Sequence, residues 1–240
     1  MKILLDVEGT TTPVSFVTDL LFPFARARVE EYLAGHAGTK EGRALLAALR
    51  EEHAREREEG GDVPPAWRRT SEAAERSSAV AYVHWLMDWD RKCTALKTLQ
   101  GRIWEAGYRS GDLRAPLFDD VPPAFRRWRR QGRTVAIFSS GSVLAQKLLF
   151  SHTTQGDLTP FIDAYFDTTT GPKRESDSYR RIAACLGAPP ADIFFISDRA
   201  AELDAARRAG LETALCVRPP AADPTASPHR VIHDLDGLFS

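Results

Sequence analysis

The densest group of reactive side chains lies within the first dozen residues. Lys2-Ile3-Leu4-Leu5 reads as a short buried strand and runs straight into Asp6-Val7-Glu8-Gly9-Thr10-Thr11-Thr12. Ligands of α/β proteins collect beyond the carboxyl ends of parallel strands. Two carboxylates at such a place, beside a glycine that lets the backbone approach a ligand, make a catalytic address. On their own the same residues also describe an ordinary Asx turn. Three further segments bear on the choice. The apolar run Thr134-Val135-Ala136-Ile137-Phe138 is followed by Ser139-Ser140-Gly141-Ser142 and a helical segment, so hydroxyls and free N–H groups stand at the positive end of a helix dipole, an anion cradle. Beyond Ala164-Tyr165-Phe166, the loop Asp167-Thr168-Thr169-Thr170-Gly171-Pro172-Lys173 returns an ammonium toward the sheet edge. The run Ile193-Phe194-Phe195-Ile196 ends in Ser197-Asp198, an acid placed to share a hard cation with Asp6. Glu202 and Asp204 follow in a helical first turn, where acids also serve as caps.

These residues need a sheet to hold them. From Asp120 onward apolar strand-like runs alternate with helical segments at roughly Pro122–Gln131, Val143–Ser151, Ser176–Leu186 and Ala200–Ala209, the pattern of a parallel sheet built from βαβ units. Thr213–Val217 supplies another strand, and the Pro-rich stretch 218–229 precedes a last short one near Val231-Ile232. Between the first strand and this region the periodicity is helical: Val14–Tyr32, interrupted at Pro23; Lys40–Glu59, ending at Gly60-Gly61; and Ser71–Asp88. The expected architecture is a doubly wound α/β core (1–13 with 115–240) interrupted after its first strand by an all-helical cap (14–114). The mixed charges of Arg50–Glu59 mark a solvated face, and Val80, Val83, Trp85, Leu86 and Trp89 read as cap core.

Composition narrows the partner. Among 240 residues, 33 acids nearly cancel 32 bases, which argues against nucleic acid and for a small molecule. Cys93, Cys185 and Cys216 are odd in number, far apart and without a Cys-x-x-Cys pair, as in reduced cytosolic proteins. No apolar run approaches the ~20 residues that span a bilayer, and Met1 leads directly into the first strand, so no membrane contact and a cytoplasmic location are expected. His36, His53, His84, His152, His229 and His233 share no ligand spacing and read as structural or solvent-facing.

The joint order of carboxylate pair, hydroxyls at a helix start, lysine and late acid resembles the haloacid-dehalogenase-like phosphotransferases. Longer blocks sharpen the likeness: Asp90-Arg91-Lys92-x-Thr94-Ala95-Leu96-Lys97-x-Leu99-Gln100-Gly101-x-Ile103-Trp104, Ser139-Ser140-Gly141-Ser142-Val143-x-Ala145-Gln146-Lys147-Leu148-Leu149-Phe150, Tyr165-Phe166-Asp167-Thr168, and Lys173-x-Glu175-x-x-Ser178-Tyr179-Arg180. With Glu8 in place of that superfamily's usual second Asp, they resemble the enolase-phosphatases (acireductone synthases) of methionine salvage over essentially the whole chain. Cys93, where Ser or Thr is expected, and the weakly matching stretch 36–70 depart from the pattern and concern cap shape.

The resemblance implies a small phosphorylated diketone substrate, 2,3-diketo-5-methylthiopentyl 1-phosphate, which is enolised and then dephosphorylated to 1,2-dihydroxy-3-keto-5-methylthiopentene. It implies Asp6 as nucleophile and Ser139, Ser140 and Lys173 as substrate-binding residues, with Gly141 adding an N–H. Mg²⁺ is implied at Asp6, Glu8 and Asp198, position 8 contributing its backbone carbonyl so that the Glu8 side chain is free for acid–base work. The enolisation base is open between Glu8 and Lys97. Arg91 and Lys92 either steer the anionic substrate or pair with neighbouring acids. A monomer is expected. The alternatives are a phosphatase of the same superfamily acting on another small phosphorylated metabolite, and a binding module without activity, which the intact Asp6, Ser139, Lys173 and Asp198 disfavour.

Overall fold

The computed structural model describes residues 1–58, 62–91, 93–222, 224 and 226–239. The Gly60-Gly61 punctuation, Glu59, Lys92, and Asp223 and Thr225 of the Pro-rich stretch therefore lie outside the described residues. The chain divides into two units, residues 1–17 with 111–240 and residues 18–110; the boundaries read from the sequence were 13/14 and 114/115.

In the first unit the described strands form one six-stranded sheet: β1 (Lys2–Leu5), β2 (Thr134–Phe138), β3 (Ala164–Phe166), β4 (Ile193–Ser197), β5 (Glu212–Cys216) and β6 (Arg230–Ile232). Their order is β3-β2-β1-β4-β5-β6 and every pairing is parallel. This is the doubly wound α/β core expected from the alternating pattern. The first strand thus lies at the centre, with Leu5 opposite Ile137 on one side and Ile196 on the other. Leu4, Phe138 and Phe195 pack with Tyr179 and Ile182 of α7 (Ser176–Leu186) and with Leu203 and Ala206 of α8 (Ala200–Arg208). On α5 (Val121–Arg130), Phe125 and Trp128 are fully buried, and Phe125 stacks near Phe150 of α6 (Val143–Ser151). Strands covered on both faces must be apolar throughout, which is why β1, β2 and β4 read as continuous rather than alternating runs.

The second unit is helical among its described residues: α1 (Phe22–His36), α2 (Lys40–Glu58), α3 (Glu72–Asp88) and α4 (Thr94–Ser110). Its core takes Ala25, Val29 and Leu33 from α1, Leu45 and Leu49 from α2, Tyr82, Val83 and Leu86 from α3, and Leu96, Leu99 and Ile103 from α4. Each set recurs at three- and four-residue spacing, one face of a helix. Ser71 caps α3 by accepting from Ala74 N at 3.1 Å. The expected helix from Val14 differs: Phe16–Leu21 is π-helical, and α1 begins at Phe22 with Pro23 in its first turn. Proline has no N–H to donate to the fourth residue back and its ring crowds that carbonyl, so a regular α-ladder cannot pass through it, whereas a first-turn position leaves nothing unmade.

Candidate active site

The ends of β1, β2 and β4 and the loop after β3 bring the sequence-read residues together. Asp6 continues the ladder beyond β1, its N–H donating to the Ile196 carbonyl at 3.0 Å, and its side chain is buried. Lys173 Nζ reaches Asp6 Oδ1 at 2.6 Å and Glu202 Oε2 at 2.6 Å. Ser197 Oγ lies 3.3 Å from Asp6 Oδ2 and 3.1 Å from Glu202 Oε2. Glu202 is the residue that sequence reasoning noticed but left as a helix cap. It stands in the first turn of α8, directly beyond the end of β4.

One lysine thus faces two buried carboxylates, with Asp198 close by. Burial opposes the Lys173 ammonium, but Asp6 and Glu202 outweigh it and hold its pKa above the usual lysine range. Burial, and then the Asp6 charge, raise Asp198 to about 6, and the same two causes raise Glu202. Even with Arg199 at 3.9 Å from Asp198, the acids around Lys173 leave an excess of negative charge, which suits a hard divalent ion. Asp198 Oδ1 is buried with no hydrogen-bond partner among the described residues, an acceptor ready for a cation. Gly9 lies against the same side chain with φ of +73°, and a Cβ there would stand 2.5 Å from Asp198 Oδ2. The donor set therefore fits a magnesium ion held by Asp6 and Asp198.

Glu8 departs from a three-carboxylate cage. Among the described residues no three His, Cys, Asp or Glu side chains are gathered as metal ligands. Instead Ser139 Oγ lies 3.4 and 3.3 Å from the two Glu8 carboxylate oxygens. Burial, then the Asp6 charge, push Glu8 up to about 7, so this carboxyl gains and loses a proton near neutral pH.

The serine loop is fixed by its own hydrogen bonds. Ser139 is buried and Ser140 exposed. Gly141 N donates to Ser139 Oγ at 3.0 Å, and Ser142 caps α6 through Ala145 N at 3.3 Å. From the facing loop, Asp167 Oδ2 accepts from Val143 N at 3.0 Å, which no sequence signal announced. The Lys173 loop is fixed from α7, where Tyr179 OH donates to the Lys173 carbonyl at 2.7 Å and Ser178 Oγ to Pro172 O at 2.8 Å. Arg218 was also missed, because its partners are distant in sequence. Its guanidinium donates to Thr10 O at 2.7 and 3.1 Å and to Asp120 at 2.8 and 2.9 Å, fastening the loop that follows Glu8.

Within the helical unit, Arg91 pairs with Asp62 at 3.7 Å and lies over Trp85. His84 Nε2 sits 3.3 Å from the Arg26 carbonyl, a structural contact. Lys97, on α4, is half-buried. Cys93, Cys185 and Cys216 are free thiols, and among the described residues no helix is long and apolar enough to cross a membrane.

A carboxylate-bearing strand end, a serine loop, a buried lysine and a late acid on one parallel sheet define a phosphoryl-handling hydrolase. In agreement, the family model for haloacid dehalogenase-like hydrolases matches residues 3–210. The chain is 50% identical to Enolase-phosphatase E1 of Synechococcus elongatus, covering 98% of this chain and 96% of the relative. It is 48% identical to Enolase-phosphatase E1 of Sorangium cellulosum at the same coverage, 98% and 96%. Among solved structures, the UTR4 protein (unknown transcript 4 protein) of Saccharomyces cerevisiae superposes with a TM-score of 0.79 at 32% identity, covering 99% of both chains. The chain belongs to the enolase-phosphatases, within the haloacid dehalogenase-like hydrolase family.

Proposed function

We propose that the chain enolises 2,3-diketo-5-methylthiopentyl 1-phosphate and then hydrolyses the phosphorylated enol to 1,2-dihydroxy-3-keto-5-methylthiopentene and phosphate. The observation that carries this reading is the buried Asp6–Lys173–Glu202 group beside the serine loop, combined with a glutamate two residues after the nucleophile. Asp6 attacks phosphorus: a new bond forms from its carboxylate oxygen while the bond from phosphorus to the substrate's enol oxygen breaks, and water later releases phosphate from the aspartyl phosphate, restoring the carboxylate. Lys173 holds the Asp6 side chain in place, and its charge offsets that of the incoming phosphoryl oxygens. Ser139 and Ser140 hold those oxygens, while the Gly141 N–H, expected from the sequence to join them, donates instead to Ser139 Oγ. Asp6, Asp198 and the Glu8 carbonyl would hold Mg²⁺, which when bound neutralises phosphoryl charge and stabilises a developing enolate.

Glu8 is the proton carrier. An acid raised to about 7 is half-protonated near neutral pH and serves both to take a proton α to a carbonyl and to give one to a leaving oxygen. The reading includes a monomeric protein that meets its substrate in the cytoplasm; the three free thiols support a reducing compartment.

The test is turnover of the purified chain with the diketo phosphate, following enol absorbance and free phosphate together. Both signals should appear and depend on Mg²⁺. Phosphate release without a conjugated enediol product would replace this reading by that of a phosphatase for another metabolite.

A further inference from the structure

Gln146 lies on α6 one turn past the serine loop, and the chemistry above does not use it. Its side chain is buried, 3% exposed. The amide nitrogen donates to two carbonyl oxygens, each at 2.8 Å: Gly141 in the serine loop and Phe166 at the end of β3. The amide oxygen Oε1 is buried without a partner among the described residues. A buried acceptor left unpaired is unfavourable, and an apolar side chain of similar length would avoid it. What the amide supplies here is therefore its pair of donors.

The consequence follows from peptide geometry. In a planar trans peptide the C=O and the next residue's N–H point in opposite directions. Holding the Gly141 carbonyl against Gln146 turns the Ser142 N–H away from it, and holding the Phe166 carbonyl does the same for the Asp167 N–H. Phe166 O accepts from Ser139 N at 3.2 Å as well, so one carbonyl ties the start of the serine loop to the Gln146 side chain. Two carbonyl oxygens that would repel a phosphoryl group if they turned toward it are occupied elsewhere.

We infer that Gln146 is a positioning residue that fixes the Ser139–Ser142 loop in its anion-accepting conformation by holding the Gly141 and Phe166 carbonyls, and so sets phosphoryl affinity without touching the substrate. The inference rests on the reading of that loop as the phosphate grip; it is independent of the metal ligands.

Two variants of the full chain test it. Gln146→Met keeps length and removes both donors; Gln146→Glu keeps shape and donates only while protonated. The readouts are the inhibition constant of inorganic phosphate, KM, kcat, the Mg²⁺ concentration for half-maximal activity, and Tm. Gln146→Met should raise the phosphate inhibition constant and KM about tenfold, the scale of a lost hydrogen bond in a binding site, with Mg²⁺ half-saturation unchanged. Gln146→Glu should show a phosphate defect that deepens, relative to wild type, as pH rises from about 5.5 to 8.

A wild-type phosphate constant in Gln146→Met overturns the inference, as does a loss confined to Tm or one matched by an equal loss of Mg²⁺ affinity. Should Gln146→Met fail to fold, a pH-independent ratio between Gln146→Glu and wild type overturns it instead. Ser139→Ala separates the two levels. If it weakens phosphate while Gln146→Met does not, only the Gln146 role fails. If neither weakens phosphate, the loop is not the grip, and the underlying reading fails with it.

Discussion

Lys173 lies between Asp6 and Glu202, at 2.6 Å from each, in a place where little water reaches. A buried charge that loses its partner is far more costly than the net worth of the pair. On the proposed role of Lys173, Lys173→Ala removes a contact to the phosphoryl group, and it also sets two carboxylates against each other. We expect kcat/KM to fall roughly tenfold to hundredfold, the scale of ~1.5–3 kcal/mol for a charge-assisted contact. The exposed Lys147, which lies over the Tyr165 ring, is the control. Equal losses at the two positions would mean that the protein draws substrate by general charge and has no specific lysine site. Asp6 permits a sharper separation. Enolisation moves a proton and leaves phosphorus untouched, so Asp6→Asn should lower phosphate release on the order of a thousandfold or more, while some substrate still passes to the phosphorylated enol. Parallel traces of enol absorbance and free phosphate at saturating Mg²⁺ decide this. Loss of both signals, with substrate and metal binding intact, would give Asp6 a part in enolisation too.

At the scale of elements, the site depends on how tightly the turn after β1 approaches the end of β4. Gly9 has φ of +73° and no room for a Cβ beside Asp198, whereas Gly132 has φ of +67° with open space around it. Alanine in the left-handed region costs about 1–2 kcal/mol at either position. Only Gly9→Ala should also raise the Mg²⁺ concentration for half-maximal activity, by about tenfold or more, because the new methyl displaces Asp198. Equal Mg²⁺ requirements in the two variants would argue that Asp198 is not a ligand. The sequence made the carriers of this geometry legible: β1, β2 and β4 are covered on both faces and so read as unbroken apolar runs, and α6 follows directly on the serine cluster, whose Ser142 caps it. It did not reveal the π-helical stretch Phe16–Leu21, since the outward pattern of such a turn differs little from that of an α-helix. Nor did it reveal the Glu202–Lys173 pair or the Arg218–Thr10 bonds, because the rotation of α8 against the Lys173 loop and the path of the chain after β5 are products of packing, with no local periodicity to record them.

For the whole molecule, the acids at the strand ends govern how stability responds to pH and to metal. Glu8 and Asp198 have pKa values of about 7 and about 6 in the fold, against ordinary carboxyl values of 4.5 and 3.8. A raised carboxyl pKa means that the fold holds its proton more tightly than the unfolded chain does. The contribution of these two groups is therefore fully present below about pH 4 and is lost as pH rises through 6 to 7. Lys173 acts in the opposite range: its raised pKa gives stability that persists up to the ordinary lysine value and is lost only in strong alkali. In chelator, the carboxyl pair should thus pull Tm downward between about pH 5 and 7.5. A divalent ion bound at Asp6 and Asp198 takes the place of the proton and binds the folded chain preferentially, so its stabilisation grows as the competing protons leave. Thermal unfolding at saturating Mg²⁺ and in chelator, at pH 5.5, 6.5 and 7.5, should show an increment that widens toward alkaline pH by several °C, given ~2–4 °C per kcal/mol for chains of this size. Asp198→Asn, which cannot titrate, should show a smaller and flatter increment. If the wild-type increment is the same at all three pH values, the ion does not compete with protons at these carboxylates, and the metal must be held elsewhere.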